Sequence, residues 1–240
     1  MKHMLPFTLA VLMLSSCGTY QMMTVNSENV NRDEKSGGLV AENDSIKIMY
    51  TFNGNNSPVG IEVRNKLDKP LYIDWQRSAL IYKDSAISFT GSKVAINLST
   101  DLYWSGQGPR YQSASTSGDV LLPQYTEFIP PNTYIKRTPI RMPNALATNV
   151  SDTVFRQIKI ESVMEGRMMR ADKAVFTKDN SPVTFTTYLT FYTEDNKTKP
   201  IVCIQKFYVT EVLKIRHHPD QTVYYTNVAG DKFYSFLPNN

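Results

Sequence analysis

The chain carries two thiols, three histidines and 22 carboxylates, and their placement decides what chemistry it could perform. Cys17 follows Leu14-Ser15-Ser16 directly, while Cys203 stands alone in the apolar segment Ile201-Val202-Cys203-Ile204. The thiolate is the reactive form and apolar surroundings suppress it, so Cys203 reads as a structural thiol. No internal disulfide is expected from this pair. Beyond His3 the histidines are His217 and His218, adjacent and just before Pro219. Neighbours on an extended chain point to opposite faces, so these two cannot easily share a metal ion, and no zinc site is expected. A serine or cysteine nucleophile would need one of them as its base, yet no Gly-x-Ser-x-Gly turn places a serine. There is no phosphate-cradling glycine loop. The carboxylates offer no pair that spacing singles out. The expectation is a non-enzyme without metal or cofactor.

Binding chemistry has one candidate, the stretch Asp101-Leu102-Tyr103-Trp104-Ser105-Gly106-Gln107-Gly108-Pro109-Arg110-Tyr111. Aromatic rings beside Arg, Gln and Asp are what sugar rings and peptides stack on and hydrogen-bond to. Tyr103, Trp104, Arg110 and Tyr111 are the candidate contacts for a glycan or peptide. The plainer alternative is that Trp104 folds back as a plug; Trp75, in Tyr72-Ile73-Asp74-Trp75, reads as core or an edge anchor. Lys206, Tyr208, Lys214, Arg216, Tyr224 and Tyr225 make a basic-aromatic mix that fits either lipid headgroups or the solvated face of a sheet. The formal net charge of +4 is spread along the chain and does not point to a nucleic-acid partner.

The elements that must position these residues begin with a leader. Lys2 precedes an apolar run from Met4 to Leu14, interrupted only by Pro6 and Thr8. As a helix that run would be about 16 Å long. A hydrocarbon core is about 30 Å thick, so the run does not span it, and the layout is that of a secretory signal peptide. Leu14-Ser15-Ser16-Cys17 resembles a bacterial lipobox, which implies acylation of Cys17 on sulfur, as by palmitate, and cleavage that makes it the new N-terminus. The alternative is an ordinary signal peptide with an incidental cysteine. Residues 1–17 are thus expected to be the signal and 18–43 a flexible polar tether, with a reach on the order of 28 Å. Residues 44–240 are expected to form one β-sandwich domain. At 41% hydrophobic and 20% charged, the composition is that of a globular protein and not of a disordered chain or a membrane bundle.

From Asp44 onward apolar residues recur at every second position, the pattern of half-buried strands. Ile46, Ile48 and Tyr50 alternate with polar neighbours, then Val59, Ile61 and Val63, with turn clusters between them at roughly ten-residue spacing. Asn97 to Gln124 breaks that rhythm and reads as a long polar loop. Ser162 to Lys173 suggests a short helical turn through Ser162-x-x-Glu165. A long hairpin follows: Val183, Phe185, Leu189 and Phe191 share one face of its first strand. Ile201, Cys203, Phe207, Val209, Leu213 and Ile215 are expected to share one face of the second. The tail from Pro219 is expected to pack back as a turn plus an edge strand.

Two resemblances add to this reading. Asp44-Ser45-Ile46, Asp84-Ser85-Ala86 and Asp152-Thr153-Val154 each resemble the Asp-Ser/Thr-aliphatic acceptor of general protein O-glycosylation in Bacteroidota, which makes Ser45, Ser85 and Thr153 candidate glycan sites. The segments Asn65-Lys66-Leu67-Asp68-Lys69-Pro70-Leu71-Tyr72-Ile73-Asp74-Trp75 and Asn180-Ser181-Pro182-Val183-Thr184-Phe185, with the strand Tyr188 to Tyr192, resemble uncharacterised lipoproteins of Bacteroidota. That likeness implies an all-β, immunoglobulin-like antiparallel β-sandwich held at the outer membrane through Cys17, with an envelope protein as a further partner. It brings no catalytic residues. Surface-displayed lipoproteins of that phylum often carry an acidic cluster after the acylated cysteine, and Gly18-Thr19-Tyr20-Gln21-Met22 has none, which implies the periplasm-facing leaflet. Gly18, where an Asp would mark inner-membrane retention, implies the outer membrane.

Overall fold

The computed structural model describes residues 18–90, 95–103, 113–121, 125–142, 150–163, 166–226 and 229–237. Among them the strands run, in chain order, β1 (Thr19–Ser27), β2 (Asn31–Arg32), β3 (Leu39–Glu42), β4 (Ile46–Thr51), β5 (Gly54–Asn55) and β6 (Pro58–Asn65). Next come β7 (Leu71–Tyr82), β8 (Ser85–Ser88), β9 (Ala95–Tyr103), β10 (Ser113–Leu121), β11 (Thr126–Ile129) and β12 (Tyr134–Arg141). The last are β13 (Arg156–Glu161), β14 (Met168–Val175), β15 (Thr184–Tyr192), β16 (Ile201–Ile215) and β17 (Lys232–Leu237). Short 3-10 turns and the one-turn helix Val223–Thr226 are the helical pieces among them. The fold is all-β. One sheet has the order β11-β7-β15-β16-β1-β17-β5, with β8 on β7, β14 on β16 and β13 on β14; the other is β12-β6-β4-β3-β2. Pairing is antiparallel except for a two-residue parallel contact between β17 and β5.

The two sheets close on one core because their inward residues alternate. Ile46, Ile48 and Tyr50 of β4 and Val59, Ile61 and Val63 of β6 meet Phe185, Leu189, Phe207, Val209 and Phe233 from the larger sheet. The rings of Phe185 and Phe207 stack 5.1 Å apart at 21°, and Tyr50 and Phe52 meet Phe207 edge-on at 5.0 and 5.5 Å. Such pairs add about 0.5–1.5 kcal/mol beyond the area they bury. The β15–β16 hairpin, in register from Phe191 opposite Ile201 to Thr184 opposite Tyr208, lies at the centre of its sheet.

Residues 18–43, expected as a tether, are instead built into this body. β1 is hydrogen-bonded on both edges, to β16 and to β17. Met22 and Met23 are both fully buried. Adjacent strand residues point to opposite faces, so two buried neighbours mean that both faces are covered. Met23 and Val25 enter the main core, while Met22 enters a second cluster with Ile160, Ala171, Leu213, Ile215 and Tyr225. A strand covered on both faces shows no alternation, and this one mixes Gln21, Thr24 and Asn26 with its apolar groups. That is why it imitates a polar leader. Downstream, Asp33 to Gly38 form the β2–β3 turn, where Asp33 accepts hydrogen bonds from the Ser36 hydroxyl at 2.6 Å and the Ser36 amide at 2.8 Å. Those bonds hold the Asp33 carboxyl below the usual carboxylate range. Arg32 grips the buried Asp231 through Nε–Oδ2 at 2.9 Å, and the Gly230 amide donates to the Ser36 carbonyl at 2.8 Å.

Three further expectations are corrected. Val25 faces Val209 while Thr24 faces Glu211, so Thr210 is an extra residue on β16 and the strand's faces exchange there. Phe207, Val209 and Val212 face the main core; Leu213 and Ile215 line the second cluster on the opposite face. The expected loop 97–124 contains β9 and β10, paired from Ala95–Leu121 to Tyr103–Ser113 in a ladder that joins neither sheet. Ile96 and Leu98 alternate with polar residues at the start of β9, but β10 is rich in Ser and Thr, so hydrophobicity does not mark it, although the backbones pair fully. The expected helical turn over 162–173 is the reversal between β13 and β14 followed by β14 itself; Gly166 at φ +60° takes a backbone position that other residues disfavour.

Two buried polar side chains, Asn65 and Glu127, are held by specific partners. Asn65 donates from Nδ2 to the carbonyls of Lys69 and Ile129 at 2.8 and 3.1 Å, and its Oδ1 accepts from the Leu67 amide, which fixes the β6–β7 turn. Glu127 accepts from Trp75 Nε1 at 3.2 Å and from Arg137 at 2.6 and 3.1 Å. Glu127→Ala would leave a buried indole N–H without an acceptor. It should cost about 2–4 kcal/mol, less than a fully enclosed pair because Arg137 is half exposed, whereas Glu127→Gln should cost less than half of that. Urea unfolding of the two variants checks the ordering.

Full burial pushes the Tyr50 hydroxyl's ionisation well above its ordinary value of 10.0. The unfolded chain therefore loses this proton first. Its stabilising effect is complete below pH 10.0 and declines as pH rises beyond it. Urea midpoints should fall between pH 9 and pH 11 (roughly the window on either side of an unperturbed tyrosine), and Tyr50→Phe should flatten that fall.

Candidate functional site

The end of the larger sheet where β1 begins gathers more polar and aromatic chemistry than any other described surface. Thr19 pairs with Leu237, and Tyr20 pairs with Ile215 on one side and Phe236 on the other. The start of β1 and the ends of β16 and β17 therefore lie together. Gly18 is buried beneath the Phe236 ring; a Cβ there would sit 1.8 Å from its Cζ, so no larger side chain fits unless that ring moves. Tyr20 meets His218 edge-on at 5.0 Å and Phe236 at 5.2 Å, and His218 meets Tyr234 at 5.2 Å. His218 Nδ1 accepts from the Asp220 amide at 3.3 Å. Burial raises the Tyr234 hydroxyl's ionisation. The histidine pair is thus divided: His217 is exposed, while His218 is a half-buried member of an aromatic cluster.

Beside that cluster lies a groove of about 710 Å³ lined by Thr19, Arg167, Met168, Arg170, Lys214 and Arg216, with Asp172 as the acid in its wall. The three arginines are exposed. Lys214 Nζ lies 2.8 Å from Asp152 Oδ1 and 4.2 Å from the centre of the Phe155 ring. That ammonium lowers the Asp152 carboxyl's pKa. With Lys214 balanced by Asp152, the guanidiniums of Arg170 and Arg216 outnumber the Asp172 carboxylate in the wall, and the groove is cationic. Met168 and Phe236 stand exposed at the same end, 60% and 43% accessible, where a water-facing surface would ordinarily carry polar groups.

Of the basic-aromatic residues singled out in the sequence, Lys214 and Arg216 belong to this groove. Lys206 and Tyr208 line a different one with Lys178 and Glu28. Tyr224 lies between Lys173 and Lys232, with its ring centre 5.7 and 5.0 Å from their ammonium groups, and Tyr225 is buried. Trp75 is core. Arg167, Met168 and Arg170 were missed because their segment reads as a helical turn; the alternation Met168, Arg170, Asp172 against Met169, Ala171 was the available signal. Cys203 is half buried in β16, and burial raises its thiol pKa.

The other candidates are placed as follows. Tyr103 ends β9, opposite Ser113; Trp104, Arg110 and Tyr111 lie outside the described residues, as does Cys17. Ser45 is half exposed at the turn into β4, with its amide donating to Asn43 Oδ1 at 2.9 Å. Ser85 is exposed and opens β8 after a two-residue turn in which Lys83 and Asp84 both have positive φ. Thr153 is exposed in the 3-10 turn Asp152–Val154, where its amide donates to Ser151 Oγ at 3.4 Å. All three hydroxyls thus occupy accessible turn or strand-end positions.

Among the described residues no group of three or more His, Cys, Asp or Glu side chains could hold a metal ion, and no helix is long and apolar enough to cross a membrane. Comparison with protein-family models, with curated proteins and with solved structures finds no match to this chain.

Proposed function

We propose that the chain is a lipid-anchored envelope protein, acylated at Cys17, whose sandwich serves as a non-enzymatic accessory or docking component of an outer-membrane assembly or transporter, on the periplasm-facing side. The observation that supports this most is one of spacing. β1 starts at Thr19, two residues beyond the candidate acylation site, and its first residues border a cationic groove flanked by exposed apolar side chains. A chain so arranged carries its folded body at the membrane without an intervening linker, so its surroundings are whatever lies in or on that leaflet. Intact mass measurement of the mature protein should find acyl mass on Cys17, with the protein in the membrane fraction and Cys17→Ser in the soluble one. An unmodified, freely soluble mature chain would end the proposal. Mild crosslinking in intact cells should then return a recurrent envelope partner.

A second reading, capture of a glycan or peptide, is favoured by one observation: the aromatic connection 104–112 joins a strand ladder that pairs with neither sheet. Trp104→Ala should abolish binding across a ligand array if that reading is right. Ser45, Ser85 and Thr153 remain candidate glycan sites on the strength of their exposed turn positions, and intact mass with each replaced by Ala tests them.

A further inference from the structure

We infer that the groove between the start of β1 and the β13–β14 hairpin seats the phosphate of an anionic lipid headgroup and so fixes the body's orientation on the bilayer. The inference rests on the acyl anchor at Cys17. Chain geometry then does most of the work. From Cys17 to Thr19 an extended chain spans at most about 7 Å. The headgroup layer on each side of a bilayer is about 5–8 Å thick. A groove that has Thr19 in its wall is therefore held at headgroup depth once Cys17 is acylated. With residues 18–43 as a tether the body would rotate freely; with β1 locked between β16 and β17 it cannot.

Charge selects the occupant. Arg170 and Arg216 face the groove with Asp172 as the carboxylate in its wall, since Asp152 is engaged by Lys214. Guanidinium forks match phosphate oxygens in pairs. Lys159 lies opposite Arg170 in the β13–β14 ladder and adds a cation to that face, with Glu161 and Asp172 as the carboxylates diagonal to the pair. Exposed Met168 lines the groove beside the cations, as a side chain does when it enters the interface while charges stay among headgroups. The groove's acidic counterpart is a phospholipid leaflet and not an acidic protein, because depth and apolar flanks both come with the bilayer.

The test uses the full acylated chain reconstituted into vesicles of phosphatidylcholine alone or with roughly a third phosphatidylglycerol. A spin label at Met168→Cys, in a Cys203→Ser background, reports immersion through its accessibility to oxygen and to a water-soluble relaxant. In anionic vesicles the label should enter the headgroup region. Arg170→Glu with Arg216→Glu should lower the immersed population by on the order of tenfold or more, and added salt should do likewise. Both arginines are exposed, so this double variant keeps its fold, and its circular dichroism checks that. Protein that floats with both kinds of vesicle while the label stays in water overturns this inference and leaves the anchor standing. Protein that floats with neither overturns both. Release of the label by inorganic phosphate, but not by chloride at equal ionic strength, would give the groove to a soluble phosphorylated ligand and overturn the membrane reading.

Discussion

Met23→Asp is expected to leave no cooperatively folded protein at room temperature. Met23 has no exposure, sits on β1, an interior strand of the larger sheet, between Val212 and Phe233, and faces the main core. A carboxylate placed there must stay charged without a partner or take up a proton. Either course costs about 4–5 kcal/mol or more, on the scale of a domain's whole stability of about 5–15 kcal/mol. Asn26→Asp, three residues on and exposed, should shift stability by less than about 0.5 kcal/mol. Urea titrations followed by circular dichroism separate the two. Equal and negligible effects would mean that residues 18–43 are a tether after all.

Phe207→Ala should cost about 3–5 kcal/mol, the range for removing a buried aromatic ring without collapse of the space it leaves. The upper half of that range is expected, since Phe207 touches three other rings, those of Tyr50, Phe52 and Phe185, and joins the two layers through them. Val202→Ala on the same strand, 40% exposed on the outer face, should cost less than about 1 kcal/mol. The ratio between these two variants, read from urea midpoints at constant slope, measures how far the core depends on that aromatic contact.

Alternation made the second half of the fold legible. Val183, Phe185, Leu189 and Phe191 were assignable to one face because the partner face is polar, and a strand with one wet face keeps a strict period of two. Where that condition failed, so did the reading. β1 is covered on both faces, and β16 changes faces at an inserted residue, which a fixed period cannot represent. β9 shows alternation only at Ile96 and Leu98, and β10 pairs with it through a Ser- and Thr-rich run that carries little hydrophobic signal. The groove was hidden for a related reason: Arg167 and Arg170 come from the reversal into β14 and from β14 itself, and its position next to Cys17 depends on β1 being a strand at all. Ser45, Ser85 and Thr153 entered through a triplet resemblance; the turn residues around them are what place them at strand ends.

The placement of β1 also sets a timetable. It is the first described segment to leave the ribosome, yet the strands on its two edges, β16 and β17, are made last; Tyr20 waits for Ile215 and Phe236. Closing so long a loop makes productive folding late and slow. The larger sheet cannot be completed until β16 and β17 have both been made, so β1 stays unpaired through most of the synthesis of the described residues. Once β17 arrives, the same architecture locks the first described strand to the last, so whatever holds β17 open holds β1 open with it.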